Sequence, residues 1–270
     1  MLYDWERTLQ AEPGTVDFYA AVDERLFRSW AYFGHPDYPD ERPFARHIDY
    51  AALQGKPVLE IGCGAGGVTA VMGQAGLNVS AIDLTRTAIN FTQRRLQIAG
   101  LHVDLLHADA EQLPYRDDTF DLIWSWGVIH HSADMQRIID GMYRILRPGG
   151  EVKIMVYHRH SLQNWIIGGL EQGILRGKLL TTSYDEILRQ FWDGYLARHL
   201  TRRELSRMFA RFRKVETQLT DYTHLSFLPR SLHMLDRHVV SRVVPAGLKQ
   251  RLGAQLRQRW GHFLYLEAVK

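Results

Sequence analysis

Between residues 57 and 157, short apolar runs alternate with stretches of helical periodicity. Five apolar runs predict buried strands, at residues 57–61, 78–82, 102–107, 120–126 and 151–157. Apolar residues at helical spacing lie between them, at residues 68–75, 88–99 and 133–146. Thr85 stands where its hydroxyl can cap the second of these helices. Strands that alternate with helices in this way predict an α/β fold with a parallel sheet.

Residues on either side of this core follow different patterns. Residues 158–212 are helical and aromatic, with no strand pattern, whereas 214–220 and 262–269 alternate as strands around a helical stretch. The chain is therefore predicted to be a single domain. Its parts are an N-terminal flap at 1–50, an α/β core at 51–157, a helical lid at 158–212 and closing strands at 213–270, with a helical insertion at 228–260.

Composition excludes several classes of protein. The 33 Lys and Arg residues nearly balance the 30 Asp and Glu residues, and a net charge of +3 predicts no nucleic-acid partner. The single cysteine, Cys63, excludes a disulfide framework and a multi-cysteine metal centre. The N-terminus is too charged for a signal peptide, and six glycines interrupt the uncharged run between Glu60 and Asp83. We therefore expect a cytoplasmic protein without stable membrane insertion.

A glycine-rich turn follows the first predicted strand. Glycines suit this place because the turn needs unusual backbone angles and because a ligand must approach the main chain closely. Gly62, Gly64 and Gly67 also fit the spacing of the dinucleotide fingerprint. Asp83 closes the second strand, where a carboxylate would meet ribose hydroxyls. The turn and this carboxylate predict a nucleotide-like cofactor, and both dinucleotide and mononucleoside remain open.

Two later features favour a mononucleoside cofactor. Asp109, just past the third strand, can accept a hydrogen bond from an adenine amino group, whereas hydride chemistry with NAD has no evident use for it. Gly149 and Gly150 enter the fifth strand and break the second mononucleotide repeat that a dinucleotide domain needs.

Five segments resemble, in order and spacing, the motifs of class I S-adenosylmethionine-dependent methyltransferases. They read VLEIGCGAG at 58–66, AIDL at 81–84, ADAEQLP at 108–114, FDLIWSWGVIHH at 120–131 and LRPGG at 146–150. This resemblance covers residues 55–157. It implies a Rossmann-like, seven-stranded and mostly parallel sheet with an antiparallel last strand, helical lid insertions, and S-adenosyl-L-methionine as cofactor.

The resemblance also implies roles for individual residues. Glu60 and the glycine turn would contact the methionine end of the cofactor, Asp83 would hold the ribose, and Asp109 with Ala110 would flank adenine. Trp126 and Gly127 would line the cofactor from the fourth strand. The full set of implied cofactor-binding residues is Glu60, Gly62, Gly64, Gly66, Asp83, Leu84, Asp109, Ala110, Trp126 and Gly127.

Candidate catalytic residues follow the fourth and fifth strands, because ligands bind at the carboxyl ends of the strands in such sheets. A base is needed only where the acceptor must lose a proton. His131 is the first candidate for it, and the alternative for His131 is a helix-entry histidine that bonds only backbone. Tyr157 and His158 could orient an acceptor. His158 and His160 lack further metal ligands in the sequence, so no metal is predicted.

The predicted covers carry aromatic residues and positive charge. Aromatic side chains concentrate at Trp30, Tyr32, Phe33, Tyr38, Phe191, Trp192 and Tyr195. They could enclose an aromatic or hydrophobic acceptor, or simply pack two helical layers. Residues 228–260 hold seven Lys or Arg residues and one acid, Asp236, which suits an anionic lipid, an acidic substrate or a solvated face.

The sequence therefore predicts a methyltransferase that acts on O, N or C of a small organic acceptor. Two alternatives stay open at this level: an NAD(P)-dependent oxidoreductase and a non-catalytic, cofactor-binding regulator. Motifs that bind a cofactor do not by themselves show that the protein has a pocket for an acceptor.

Overall fold

The structure, a computed structural model, describes residues 10–29, 42–191, 197–220 and 258–270. Its strands are β1 (Pro57–Ile61), β2 (Asn78–Asp83), β3 (Asp104–His107), β4 (Phe120–Trp126), β5 (Leu146–His158), β6 (His199–Leu200), β7 (Lys214–Thr220) and β8 (Phe263–Val269). Its α-helices are α1 (Val16–Ser29), α2 (Gly67–Gln74), α3 (Arg86–Ala99), α4 (Met135–Ile145), α5 (Tyr184–Phe191) and α6 (Arg202–Met208). A π-helix spans Asn164–Leu175, and single 3₁₀ turns occupy Ala110–Gln112, Ile129–His131 and Lys178–Leu180.

The long strands form one sheet in the order β3-β2-β1-β4-β5-β8-β7. Strands β3, β2, β1, β4 and β5 are parallel, whereas β8 runs antiparallel to both β5 and β7. This confirms the predicted seven-stranded, mostly parallel sheet with an antiparallel last strand. Because the first five strands are parallel, their carboxyl ends lie along a single edge of the sheet, which we call the ligand edge.

Burial on both faces explains why the central strands read as continuous apolar runs. Val58 and Leu59 of β1 are fully buried, as are Leu122, Ile123 and Trp124 of β4. Helices on both faces of a parallel sheet exclude water from both sets of side chains. The outer strand β3 is mostly exposed, and its sequence is correspondingly mixed.

Two strands differ from the sequence prediction. The stretch 158–212 showed no strand pattern, yet β6 pairs in parallel with β5, with His199 opposite Tyr157. A two-residue strand is too short to produce a detectable alternation. Strand β5 begins at Leu146 rather than at 151, because Leu146 pairs with Phe120 before the register shifts between Phe120 and Leu122.

Helix α3 begins with the predicted cap. The Thr85 hydroxyl accepts a hydrogen bond from the backbone N–H of Ala88, at 3.2 Å, and the helix ends at Gly100 in the left-handed conformation. The cap fixes the start of α3 directly after β2. Helix α3 therefore leaves the sheet from the ligand edge.

Two segments of the N-terminal region pack against the core. Helix α1 places Phe18 and Tyr19 in a cluster with Ala65 of the glycine turn and Phe91 of α3. Phe44 packs against Trp124 of β4, with ring centroids 5.0 Å apart. The predicted flap aromatics Trp30, Tyr32, Phe33 and Tyr38, the lid residues Trp192 and Tyr195, and residues 228–257 of the basic insertion lie outside the described residues.

Candidate functional site

The glycine turn folds back over the end of β2. The backbone N–H groups of Gly62 and Cys63 donate to the Ile82 carbonyl, at 2.8 and 3.2 Å. Gly62, Gly64 and Gly66 have φ angles of 85°, 57° and 73°, a region that other residues enter at a cost. A Cβ at Gly62 would lie 2.3 Å from Cγ2 of Val128, so the turn also meets the loop after β4. Glycine is therefore required here by both backbone conformation and space.

Asp83 ties the end of β2 to this turn. Its buried carboxylate accepts hydrogen bonds from the Gly64 N–H at 3.1 Å, and from the Thr85 N–H and hydroxyl at 2.9 and 3.0 Å. A carboxylate has about four lone-pair positions, so one remains for a ribose hydroxyl without disturbing this arrangement. Leu84, the next residue in the chain, has a side chain that is 67 % exposed.

Glu60 is a second buried carboxyl group at the ligand edge. It receives a hydrogen bond from the hydroxyl of Thr69, which is fully buried in the first turn of α2. Burial is the main cause that raises the pKa of Glu60 to about 8, and the negative charge of Asp83 raises it further. At neutral pH the carboxyl group is therefore mostly protonated, and a cation placed beside it would favour ionisation.

The residues predicted to flank adenine lie after β3. Asp109 is exposed, and its carboxylate accepts the Glu111 N–H at 2.9 Å, which starts the turn Ala110–Gln112. Ala110 is half-buried at the start of this turn. The Ala108 N–H donates to the Asp83 carbonyl at 3.1 Å, so this turn and the end of β2 are held next to each other.

Trp126 ends β4, and Gly127 follows it. The half-buried Trp126 indole stacks on Trp124, with centroids 5.1 Å apart, and also contacts Phe44 at 5.0 Å. These contacts make it part of an aromatic cluster with the N-terminal region. Gly127 has a φ of 74° and donates its N–H to the Met155 carbonyl at 3.0 Å. The turn to the histidines that follow therefore depends on Gly127.

A histidine cluster surrounds Tyr157 at the ligand edge, and it consists of His130, His131, His199 and His262. The His130 ring lies 4.2 Å from His131 and 4.3 Å from Tyr157, centroid to centroid. The rings of His262 and His199 lie 5.2 and 5.6 Å from Tyr157. Because β8 is antiparallel, its first residues reach the edge where β5 ends, and β6 reaches the same edge by pairing with Tyr157.

The structure brings two of the three predicted catalytic residues together. His131 and Tyr157 are both half-buried, with ring centroids 6.1 Å apart. His158 is held differently, because its buried ring bonds the Gly261 carbonyl through Nδ1 at 3.0 Å. Neighbouring residues of a strand project to opposite faces, so Tyr157 and His158 do not share one pocket surface. The hydrogen bond to Gly261 holds the His158 ring at the end of β5.

Sequence inspection missed Thr69 and two buried members of the cluster, His199 and His262, whereas His130 was visible beside His131 as the residue of such a pair that is more often structural. His199 and His262 are far from this pair in the chain and reach it through strand pairing. Burial, followed by neighbouring positive groups, lowers the pKa of His199 to about 4 and of His262 to about 3, and holds that of His130 well below its ordinary value. Neither ring nitrogen of His130 has a hydrogen-bond partner within the described ranges.

Among the described residues, no group of three or more His, Cys, Asp or Glu side chains is arranged to hold a metal ion. No helix in the described part of the chain combines the length and apolar character needed to cross a membrane. Burial raises the pKa of the Cys63 thiol, which disfavours the reactive thiolate form.

Comparison with protein families shows what residues 59–154 resemble. They match the family model described as a methyltransferase domain. A probable phthiotriol/phenolphthiotriol dimycocerosates methyltransferase 2 of Mycobacterium ulcerans is 35 % identical over 145 residues, which is 48 % of this chain and 55 % of that protein. A ubiquinone biosynthesis O-methyltransferase of Ralstonia nicotianae is 33 % identical over 112 residues, 41 % of this chain and 47 % of that protein. The chain thus spans about half the length of these curated relatives.

Solved structures share the fold. An S-adenosylmethionine-dependent methyltransferase from Mesorhizobium loti superposes with a TM-score of 0.54 at 19 % identity, over 82 % of this chain and 96 % of that one. The phosphoethanolamine N-methyltransferase 2 of Haemonchus contortus, in complex with S-adenosyl-L-methionine, gives 0.54 at 19 % identity, over 82 % of this chain and 52 % of that one. At this level of identity, the likeness concerns the fold alone.

The buried histidines predict a loss of stability in acid. For His47, His130, His158, His199 and His262 the folded pKa lies below the ordinary value of 6.5. The unfolded chain therefore binds more protons, and the free energy of unfolding falls as pH drops below 6.5. Glu60 acts in the opposite sense, because its raised pKa favours the folded state as pH falls from about 8 towards 4.5. Urea unfolding between pH 7.5 and 5 measures the balance.

A single substitution isolates the histidine contribution. His130→Leu removes one proton site, so the fall in unfolding free energy should become shallower by up to about 1.4 kcal/mol per pH unit below pH 6. His102→Leu, at an exposed position before β3, serves as the control. An unchanged slope in a folded His130→Leu protein would contradict the buried, neutral state of this ring.

Proposed function

We propose that the chain is a class I S-adenosylmethionine-dependent methyltransferase and transfers the methyl group of S-adenosylmethionine to O, N or C of a small organic acceptor. The match of residues 59–154 to a methyltransferase domain supports this assignment. One observation carries the proposal. A glycine turn with two buried carboxyl groups, Glu60 and Asp83, lies at the same edge of the sheet as the half-buried pair His131 and Tyr157. A cofactor cradle and titratable side chains for an acceptor therefore face one region.

The residues present fit this cofactor. Gly62 stands where a Cβ would collide with Val128, and Glu60 is a buried carboxyl group suited to a cationic amine. When bound, S-adenosylmethionine supplies an activated methyl group on a sulfonium. We propose that Glu60 and the turn with Gly62, Gly64 and Gly66 hold its methionine end. Asp83 would bind the ribose, Leu84, Asp109 and Ala110 would flank the adenine, and Gly127 with Trp126 would border the cofactor from β4.

The sheet topology disfavours the oxidoreductase alternative. A dinucleotide domain continues with a second set of parallel strands beyond the fourth strand. In this chain β5 is followed in the sheet by the antiparallel strand β8. The place of a second nucleotide half is therefore taken by strands that bring His262 and Phe263 to the ligand edge.

Displacement in line from the sulfonium requires alignment more than chemical activation. Holding two reactants in a near-attack arrangement can contribute at most roughly 7–11 kcal/mol. We propose that Tyr157 orients the acceptor and that His131 accepts its proton where one must leave. The backbone N–H of His131 donates a hydrogen bond to the Val128 carbonyl at 3.0 Å. This bond fixes the turn that carries the His131 ring. Tyr157 and His131, rather than His158, thus carry the catalytic proposal.

We propose a hydrophobic or aromatic acceptor. Large apolar side chains are exposed on the π-helix and the turn after it, at Trp165, Leu170, Ile174, Leu175, Leu179 and Leu180. These two segments belong to the predicted lid at 158–212. The Mycobacterium ulcerans relative is named for its action on phthiotriol and phenolphthiotriol dimycocerosates. Both observations support an acceptor with a sizeable apolar body.

The cofactor assignment is tested by calorimetry with S-adenosylhomocysteine and with NADPH. We expect S-adenosylhomocysteine to bind and NADPH to show no binding at matched concentration, because the cradle accommodates one nucleoside. Tight NADPH binding without binding of S-adenosylhomocysteine would overturn the proposed function.

Asp83→Asn should weaken S-adenosylhomocysteine binding by about 1.5–3 kcal/mol, because a ribose hydroxyl would lose a charged acceptor. Titration calorimetry of the folded variant measures the change. Asp104→Asn is the matched control, since Asp104 is exposed on β3 away from the glycine turn. Equal affinity in the two variants would remove the ribose assignment.

His131→Asn should slow methyl transfer to a proton-bearing acceptor by about 10²–10⁴-fold, because the acceptor proton would lose its base. Affinity for S-adenosylhomocysteine should stay within a few fold of the native value. The assay is production of S-adenosylhomocysteine with a panel of hydrophobic phenols, alcohols and amines. Undiminished turnover would leave His131 as a helix-entry residue that bonds only backbone.

A further inference from the structure

We propose that Thr69 is a positioning residue for the cofactor, and that Thr69 and Glu60 together couple cofactor binding to the release of one proton. The inference rests on the proposed function and deepens it. It concerns the state of the cradle before the ligand arrives. It assigns a role to a residue of α2 outside the glycine turn.

The geometry places one hydroxyl on one buried carboxyl group. Glu60 is 4 % exposed at the end of β1, and Thr69 is fully buried two residues after the start of α2. The Thr69 hydroxyl donates to Oε2 of Glu60. Thr69 is β-branched and packed on all sides, so its rotamer is restricted and the direction of this hydrogen bond is fixed. The hydroxyl therefore sets the orientation of the Glu60 carboxyl group.

The surroundings of Glu60 disfavour a second negative charge. Asp83 lies close enough to raise the pKa of Glu60, and the buried Cys63 thiol adds no positive charge. Arg95 acts in the opposite direction, but its guanidinium is engaged by both carboxylate oxygens of Asp23, at 2.9 and 3.0 Å. Asp83 is engaged by Gly64 and Thr85. Burial is the largest of these effects, so the protonated form of Glu60 is favoured.

A ligand with an α-ammonium group reverses this balance. Its positive charge beside Glu60 favours the carboxylate, as an opposite charge within a few ångströms generally does. The Glu60 O–H bond breaks, the proton passes to solvent, and the carboxylate pairs with the ammonium group. The Thr69 hydroxyl bonds the carboxylate more strongly than the neutral acid, because hydrogen bonds to ionised groups are the stronger ones. Thr69 thereby favours the ionised, cofactor-binding form.

Titration calorimetry of the whole chain with S-adenosylhomocysteine at pH 7, in phosphate and in Tris, measures proton release. The two buffers differ in ionisation enthalpy, so the difference in apparent heat counts the protons. We expect close to one proton released, since the pKa of Glu60 in the ligand-free protein is about 8. Affinity should rise by up to about tenfold per pH unit between pH 6 and 7.5.

Three variants test whether Thr69 positions Glu60 for the cofactor or only packs in the core. Thr69→Val should weaken binding by about tenfold at pH 7 and move the rise in affinity to higher pH, because the carboxylate loses a donor. Thr69→Ser should restore both properties. Glu60→Gln, which keeps the shape but holds no titrating proton, should bind weakly and release none. Thr217→Val on β7 serves as the control for loss of a threonine hydroxyl far from the ligand edge.

The outcomes distinguish this inference from the proposed function. Binding of S-adenosylhomocysteine with equal heats in the two buffers overturns the proton coupling and leaves the proposed function intact. No binding to the native chain at any pH overturns the proposed function itself. A Thr69→Val protein that loses stability but keeps the native pH profile of affinity makes Thr69 a packing residue and overturns its positioning role.

Discussion

The carboxylate of Asp83 is the interaction on which the site depends. It joins the end of β2 to the glycine turn through Gly64 and to the start of α3 through Thr85. Helix α3 also holds the glycine turn in place. The Thr92 hydroxyl donates to the Gly64 carbonyl at 3.1 Å, and the Thr92 side chain fills the space beside Gly66. Loop, strand end and helix start are thus held as one unit around a buried charge. Three donors offset the desolvation of that charge.

The periodicity of the sequence was sufficient to predict the sheet, but not to predict the segments around Tyr157. Central strands such as β1 and β4 are buried on both faces, so their residues are selected for burial alone and stand out. The Thr85 cap is equally local, since donor and acceptor are three residues apart. By contrast, β6 is two residues long and leaves no alternation, and the helical prediction for residues 158–212 did not distinguish the π-helix Asn164–Leu175 from an α-helix.

The histidine cluster could not be read from the chain, because nothing local marks its members. His130 and His131 were visible as a pair after β4, but His199 reaches Tyr157 through β6 and His262 through the antiparallel β8. Their meeting is a consequence of register, since His199 stands opposite Tyr157 and Phe263 is the partner of Tyr157 in β8. A one-residue slip in either strand would turn these side chains to the other face. The residues assigned to the cofactor in the proposed function lie in short motifs at the ends of β1, β2, β3 and β4, so local sequence marks each of them.

Burial keeps ionisable groups neutral in both parts of the site: it protonates an acid in one part and deprotonates imidazoles in the other. Burial raises the pKa of Glu60 and lowers the pKa of His130, His199 and His262, so the acid and the imidazoles are neutral near pH 7. A neutral imidazole can accept a proton, whereas an imidazolium next to His131 would oppose proton uptake there by like-charge repulsion. Methyl transfer from a sulfonium moves positive charge from the cofactor towards the acceptor. Neutral imidazoles add no positive charge that would oppose that movement, and the low dielectric strengthens each remaining interaction. Under the proposed function, the burial that holds the histidines neutral therefore also suits a cationic donor.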